Sequence, residues 1–147
     1  MTMRKVLLLT MIIASAAAVA VAAPPQDVSM TLSQARVYVA DVAAAHQSAN
    51  GSRSWSVLRG LLTSGESVAV HESVQPVDTP PVAPHAIQHS ELIVVRDGEV
   101  MFDHDGKSEK AGPGDVIYVA LGTLHRVRNV GSVPAKYVVI AIGGDTK

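Results

Sequence analysis

The chain lacks cysteine altogether and has few aromatic side chains, with one tryptophan and one phenylalanine among its 147 residues. Without cysteine, disulfides cannot stabilise the fold, and any metal must be held by histidine and carboxylate ligands. The net charge of −1 comes without a basic stripe, which argues against nucleic acid as a partner. A glycine-rich phosphate loop, a serine nucleophile elbow and a cysteine nucleophile are also missing.

The first 22 residues have the pattern of a signal peptide. Arg4 and Lys5 precede an almost uninterrupted apolar run over residues 6–20, and an Ala-Val-Ala site follows at residues 20–22. The run is shorter than the ~20 residues of a spanning helix, although a retained N-terminal anchor is the alternative. We therefore expect a periplasmic or secreted protein that is not associated with a membrane after cleavage.

The rest of the chain is predicted to form one domain, with a leader and an N-terminal strand or loop over residues 23–54 and a β-barrel over residues 55–145. Residues 36–40 favour a first strand, although the alanine-rich stretch 35–46 could instead form a helix. Four prolines between residues 75 and 84 exclude both a helix and a central strand there, so this stretch is expected to be an ordered loop.

Short alternating segments separated by turns make up the predicted barrel. Glycine-bearing turns punctuate the second half of the chain, and no helix of useful length is indicated, which is typical of an all-β sandwich or barrel. The predicted strands are residues 55–62, 67–74, 91–96, 99–102, 116–120, 125–130 and 136–142, with a tight hairpin at residues 104–107.

Six histidines are the main candidates for chemistry. His104 lies in the hairpin tip and is expected to be solvated, and His46 has no partner by spacing. His71 is expected to be a half-buried barrel residue and not a ligand. The remaining histidines, together with one glutamate, form the candidate site: His85, His89, His125 and Glu91.

Strand geometry limits how these four side chains can meet. In one unbroken strand His85, His89 and Glu91 would share a face, but four residues cover about 13 Å. That separation is too long for two ligands of one ion at about 2 Å each. A turn within residues 87–90 would bring His85 and Glu91 together on neighbouring strands. His125 is expected to face inward, because Arg126 and Arg128 lie on the other face of its strand and should face water.

Two stretches carry a family resemblance. PHAIQHSELIVVRDG and GDVIYVALGTLHRVRN resemble the two signature motifs of the cupin superfamily, in the right order and with a short gap between them. His85, Glu91 and Gly98 match the first motif, and Gly114, Gly122, His125 and Asn129 match the second. Ala120 replaces the proline of the second motif. Ile87 stands where the family has its second metal-binding histidine.

The resemblance implies a single cupin (jelly-roll) barrel with three inherited ligands for a divalent metal such as Fe, Mn, Ni or Zn: His85, Glu91 and His125. His89 is a tentative replacement for the missing ligand. An enzyme of this kind would be a metal-dependent dioxygenase, isomerase or lyase acting on a small polar molecule, with Ile93, Val95 and Val127 as apolar pocket lining. No catalytic residue is indicated.

The loss of one ligand also fits a second interpretation, a metal-free barrel that binds a sugar or another small metabolite without catalysis. The resemblance further implies a possible homodimer, because small cupins often cover an open sheet edge with a partner.

Overall fold

The computed structural model describes residues 30–144, which are almost entirely β-strands and loops. Ten strands follow one 3-10 turn at Val42–Ala44. They are β1 (His46–Gln47), β2 (Arg53–Leu61), β3 (Ser67–Gln75), β4 (His85–Ala86), β5 (Ser90–Asp97), β6 (Val100–His104), β7 (Lys107–Ala111), β8 (Val116–Val119), β9 (Leu124–Asn129) and β10 (Ala135–Ile142).

The strands form two antiparallel sheets that face each other. A six-stranded sheet has the order β1-β2-β3-β10-β5-β8, and a four-stranded sheet has the order β4-β9-β6-β7. Consecutive strands alternate between the sheets at several points, as in a jelly roll. The predicted all-β barrel is therefore confirmed.

The core lies between the sheets and is built by alternation along the strands. Every second residue of β10 is buried, and the same period in β5, β6 and β8 points apolar side chains inward. The largest fully buried side chains are Val95, Val100 and Val119. These three come from both sheets, so one apolar cluster closes this part of the barrel.

Two turns require residues with positive φ. The predicted hairpin tip between β6 and β7 has Asp105 at φ 46° and Gly106 at φ 73°, the geometry of a two-residue turn that favours Asp-Gly. Between β5 and β6, Gly98 has φ 72°, and a Cβ there would lie 2.9 Å from the Pro134 carbonyl oxygen. Any larger residue at position 98 would therefore push the β9–β10 connection away from the barrel.

Most predicted strands occur within two residues of their expected bounds, and the proline-rich loop lies between β3 and β4. Two expectations are wrong. Residues 36–40 form no strand in the described chain, and the competing helix is reduced to the 3-10 turn at Val42–Ala44. The charged strand β7 was not expected, because its Lys-Ser-Glu-Lys sequence lacks the apolar alternation of a half-buried strand.

The predicted signal peptide lies outside the described residues. Between residues 30 and 144, no helix is long and apolar enough to cross a bilayer.

Candidate functional site

A cavity of about 170 Å³ opens between the two sheets and adjoins the apolar cluster, whose members Ile93, Tyr137 and Val139 form part of its wall. Its walls combine imidazole, carboxylate, phenol and amide groups with a few valine and isoleucine side chains. The lining residues are His71, Ser73, Gln75, Val82, His85, Glu91, Ile93, His125, Val127, Tyr137 and Val139.

His85 and His125 meet because they are directly opposite each other in the pairing of β4 with β9. Their ring centroids are 4.7 Å apart, and the planes are tilted by 47°. His125 is buried, with 2% of its surface exposed, and faces inward as expected. His85 is exposed and lies at the cavity mouth. The two imidazole rings therefore line the cavity from its buried end, at His125, to its solvent-exposed mouth, at His85.

Glu91 reaches the same cavity from the opposite sheet. The chain bends at Gln88 and His89, within the stretch where a turn was expected, and then enters β5. His85 and Glu91 consequently lie on strands of facing sheets, so the expected neighbouring strands are wrong. Gly144 packs against this bend so closely that a Cβ would overlap the carbonyl oxygen of Gln88.

The carboxylate of Glu91 has a histidine on each side. His89 Nε2 lies 2.8 Å from Glu91 Oε1, and His125 Nε2 lies 3.9 Å from Glu91 Oε2. The Glu91 side chain is 12% exposed, and neither lysine nor arginine forms an ion pair with it within residues 30–144. The groups that face this carboxylate are therefore imidazoles.

The hydrogen bonds of His125 fix its tautomer. Its Nδ1 lies 3.0 Å from the carbonyl oxygen of Thr123, and because a carbonyl only accepts, Nδ1 carries the hydrogen. In the neutral ring, Nε2 then directs a lone pair toward Glu91 Oε2. Two electron-rich atoms that face each other in a buried site are unfavourable unless a positive charge joins them. A proton on Nε2 or a metal ion between the two atoms would supply it.

The pKa values of two other histidines favour the neutral, ligand-competent form. Burial lowers the pKa of His71, partly offset by the negative charge of Glu91. The pKa of His85 is lowered by partial burial and by the neighbouring His125. Neutral imidazoles are the form that binds metals or accepts hydrogen bonds from a ligand.

A hydrogen-bonded network forms the opposite wall. Gln75 donates from Nε2 to Tyr137 Oη at 2.9 Å and to the Val127 carbonyl at 3.1 Å, while its Oε1 accepts from the Asn129 backbone at 2.8 Å. Burial raises the pKa of Tyr137 to about 12, so this phenol stays protonated. The network presents a rigid neutral hydroxyl beside the imidazoles.

Two residues, Val95 and His104, differ from the expectations. His71 is half-buried, as expected, and it also lines the cavity from β3. Ile93 and Val127 do line the cavity, whereas Val95 is buried in the apolar cluster and does not. His104 is only 17% exposed because its ring stacks on Phe102 at 4.4 Å, so the expectation of a solvated ring is wrong.

The side chains of the cavity are of the types that bind a divalent metal, but their positions do not form a complete metal site. A separation of 3.9 Å between His125 Nε2 and Glu91 Oε2 is within reach of two ligand bonds of about 2.1 Å each. However, no three metal-ligating side chains of residues 30–144 converge on one point. Ile87, in the place of the absent family ligand, is 8% exposed and belongs to the apolar cluster.

Comparison with known proteins agrees with this architecture. The family model for the cupin domain matches residues 70–141, which contain the cavity residues from His71 to Tyr137. The chain belongs to the cupin superfamily. Curated protein sequences contain no match to this cupin.

Solved structures show the same fold at low sequence identity. KdgF from a Halomonas species is 14% identical, with a TM-score of 0.57 over 75% of this chain and 96% of that one. A predicted oxalate decarboxylase from Thermotoga maritima is 16% identical, with a TM-score of 0.55 over 72% and 93% of the two chains. An RmlC-like cupin from Shewanella frigidimarina is 14% identical, with a TM-score of 0.55 over 69% and 85%. At these sequence identities, the similarity shows that the fold is shared.

Proposed function

We propose that this cupin is an exported protein that binds one divalent metal ion in the barrel cavity and takes up a small polar molecule beside it. The observation that carries the proposal is the pair formed by the buried His125 Nε2 and the partly buried Glu91 Oε2, which are 3.9 Å apart. In this proposal, His85 would turn in from the cavity mouth to provide a third ligand. A bound ion would polarise an oxygen of the small molecule.

The remaining cavity residues have supporting roles in this proposal. His89 lies 2.8 Å from Glu91 Oε1 and orients the carboxylate, as outer partners of metal ligands commonly do. Tyr137 presents a hydroxyl, and the small cavity volume of about 170 Å³ limits the ligand to a compact molecule. One structural relative is a predicted oxalate decarboxylase, a name that implies a small polar acid and is consistent with this size class.

A metal-free binding barrel is the second candidate, and one observation favours it. Ile87 is packed in the apolar cluster, which fills the place of the expected fourth ligand with hydrocarbon. In that case His125 would carry a proton on Nε2 and would form an ion pair with Glu91. The small molecule would then bind through hydrogen bonds to the imidazoles and to Tyr137.

Metal analysis of the purified protein separates the two candidates. After incubation with Mn²⁺, Fe²⁺, Ni²⁺ or Zn²⁺ and dialysis, we expect about one ion per chain for at least one of these metals. His125→Ala should abolish this binding, whereas the matched variant His46→Ala, at an exposed histidine of the edge strand β1, should retain it. Less than about a tenth of an equivalent of every metal in the unmodified protein would contradict metal binding and favour the metal-free barrel.

A further inference from the structure

A second cavity, of about 260 Å³, lies beside the proposed metal site on the inner side of β2 and β3. His71 forms part of the wall of both cavities. A third cavity, of about 170 Å³, shares Ser54 with the second and Tyr137 with the first. The three cavities therefore form one continuous space, here called the polar groove, which extends from the proposed metal site to β2.

Arg59 faces the polar groove because of a bulge in β2. The pairing of β2 with β3 shifts by one residue after Ser56, and Arg59 consequently lies opposite Ala69. Opposed residues of an antiparallel pair share a face, and Ala69 belongs to the cross-strand row that contains Glu91. Without the extra residue Arg59 would lie opposite Val68, on the outer face of the sheet. The bulge thus directs a long basic side chain toward the inside of the barrel.

Arg59 and Glu91 stand near the two ends of that cross-strand row. Ala69 on β3 and Ala141 on β10 lie between them. The arginine and the glutamate are three strands apart, which is about 14 Å between their Cα atoms at a strand spacing of about 4.8 Å. Both intervening side chains are single methyl groups, so this row leaves space for a ligand between the guanidinium and the carboxylate.

The charge of Arg59 has no anionic partner in the described chain. Arg96, Arg126 and Arg128 each form an ion pair with a carboxylate, whereas Arg59 forms none within residues 30–144. The side chain is half-buried, and the cavity that it lines contains neither aspartate nor glutamate. A cation that is partly removed from water and has no counter-charge favours the binding of an anion.

A carboxylate fits this position in geometry and in charge. The planar guanidinium presents N–H donors that bind both oxygens of a carboxylate at once. Ser54 and Ser56 place two hydroxyl groups on the same face of β2, where they can donate to or accept from a polar ligand. A phosphate monoester carries almost two negative charges at neutral pH, and a single arginine would leave part of that charge uncompensated.

We propose that the small polar molecule of this cupin is an organic acid whose carboxylate binds Arg59 while an oxygen at its other end lies beside His125 and Glu91. This inference rests on the proposed function and narrows it, because it names the class of ligand. The cavity of about 170 Å³ holds the end beside the metal site, and the cavity of about 260 Å³ holds the carboxylate. Arg59 is then a ligand-binding residue that does not contact the metal.

Calorimetric titration of the full chain with glutarate tests this assignment, first with Zn²⁺ and then after removal of metal with EDTA. Glutarate should bind both forms with a Kd of about 1 mM or lower, and the uncharged diamide of glutaric acid should bind neither. Arg59→Gln should weaken glutarate binding at least tenfold in both forms. Arg59→Lys should weaken it less, because lysine keeps the charge but loses the two-point contact.

Two controls separate binding from folding. Arg59→Gln should not change thermal unfolding or the amount of Zn²⁺ bound, because Arg59 forms no ion pair within the described residues. Arg96→Gln is the matched variant, since Arg96 pairs with Glu72 and lines none of the three cavities. It should bind glutarate as the unmodified protein does.

The two forms of the protein distinguish failure of this inference from failure of the proposed function. Glutarate binding that depends on Arg59 in a protein without affinity for metal would support the carboxylate site and contradict the metal site. Zn²⁺ binding without glutarate binding, or glutarate binding that Arg59→Gln leaves unchanged, would overturn the carboxylate site alone. Inorganic phosphate that binds more tightly than glutarate at Arg59 would overturn the assignment to a carboxylate.

Discussion

Glu91 and Asp103 are two partly buried carboxylates with opposite surroundings. Asp103, on the outer face of the four-stranded sheet, accepts hydrogen bonds from Arg126 Nε at 2.7 Å, Arg128 Nε at 2.6 Å and Ser108 Oγ at 2.6 Å. Glu91, in the cavity, is 2.8 Å from His89 and 3.9 Å from His125. Asp103 is thus paired with two arginines, which are always charged, whereas Glu91 is paired only with imidazoles.

This difference separates a structural carboxylate from a functional one. Asp103 is saturated with hydrogen bonds, and its charge is compensated at every pH at which it is ionised. One oxygen of Glu91 still faces the lone pair of a histidine, so its site is complete only when a proton or a metal ion is added. A carboxylate that the protein leaves incompletely compensated, in a cavity open to solvent, is available to a ligand.

Removing the charge of Glu91 should give the largest effect. Glu91→Gln keeps the shape of the side chain but removes the anionic ligand, so affinity for the preferred divalent metal should fall at least about 100-fold in calorimetric titration. Thermal unfolding without metal should change little. Equal metal affinity in both proteins would show that Glu91 is not a ligand.

Adding a histidine ligand near Glu91 should strengthen metal binding in the cavity and so increase the difference between Glu91 and Asp103. Ile87→His places an imidazole where the family has its second metal-binding histidine. The exchange should cost about 2 kcal/mol of unfolding free energy, because a buried apolar side chain is lost, while metal affinity rises about tenfold. Ile87→Val, which removes one methylene group, is the control. A folded Ile87→His variant with unchanged metal affinity would argue against a site at this position.

The same neutralisation at Asp103 should affect stability alone. Asp103→Asn should lower the free energy of unfolding by about 1.5 kcal/mol in urea at pH 7, because two arginines lose their anionic partner. Metal affinity should stay within twofold of the unmodified value. A large loss of metal binding would place Asp103 in the functional site and erase the distinction between the two carboxylates.

The stability difference at Asp103 should depend on pH with a defined sign. Arg128, Ser108 and Arg126 lower the pKa of Asp103 well below its usual range. Its stabilising contribution is therefore fully present above its unfolded pKa of about 3.9 and is lost as pH falls below that value. Urea unfolding of the unmodified protein and Asp103→Asn should differ equally at pH 5 and pH 7 and less at pH 3. A difference that grows at pH 3 would contradict this assignment.

The smallest effect on stability is expected for one of the two arginines that bind Asp103. Arg126→Gln removes a single contact to Asp103, and Arg128 still binds that carboxylate through two nitrogens. Because the Arg126 side chain is 30% exposed, the loss should be about 0.5 kcal/mol. A loss above about 2 kcal/mol would mean that Arg126 also supports something else on this face.

The barrel could be predicted from the sequence because its signals are local. Alternation placed His125 inward, and glycines and the Asp-Gly pair marked the turns, which depend on neighbouring residues only. The bend after Ile87 was also expected, since an unbroken strand would have separated His85 from His89.

The rest of the site depends on contacts that are distant in sequence. Gln75 and Tyr137 are 62 residues apart, and no local pattern shows that their strands pair. His71 could be assigned to a face of its strand, but the face became the inner one only through the neighbouring strand β10. Residues 36–40 show the reverse limit: their sequence has the pattern of a strand, but they form no strand in the described chain.

Nitrogen-15 NMR of the histidine side chains tests the central claim, that His125 and Glu91 form a ligand site in the cavity. In the metal-free protein, Nδ1 of His125 should carry a hydrogen, because it faces the carbonyl oxygen of Thr123. One equivalent of Zn²⁺ should then shift the Nε2 resonance of His125 and that of a second cavity histidine, His85, while the exposed His46 stays unchanged. A His125 without a hydrogen on Nδ1, or resonances that Zn²⁺ leaves in place, would contradict the account.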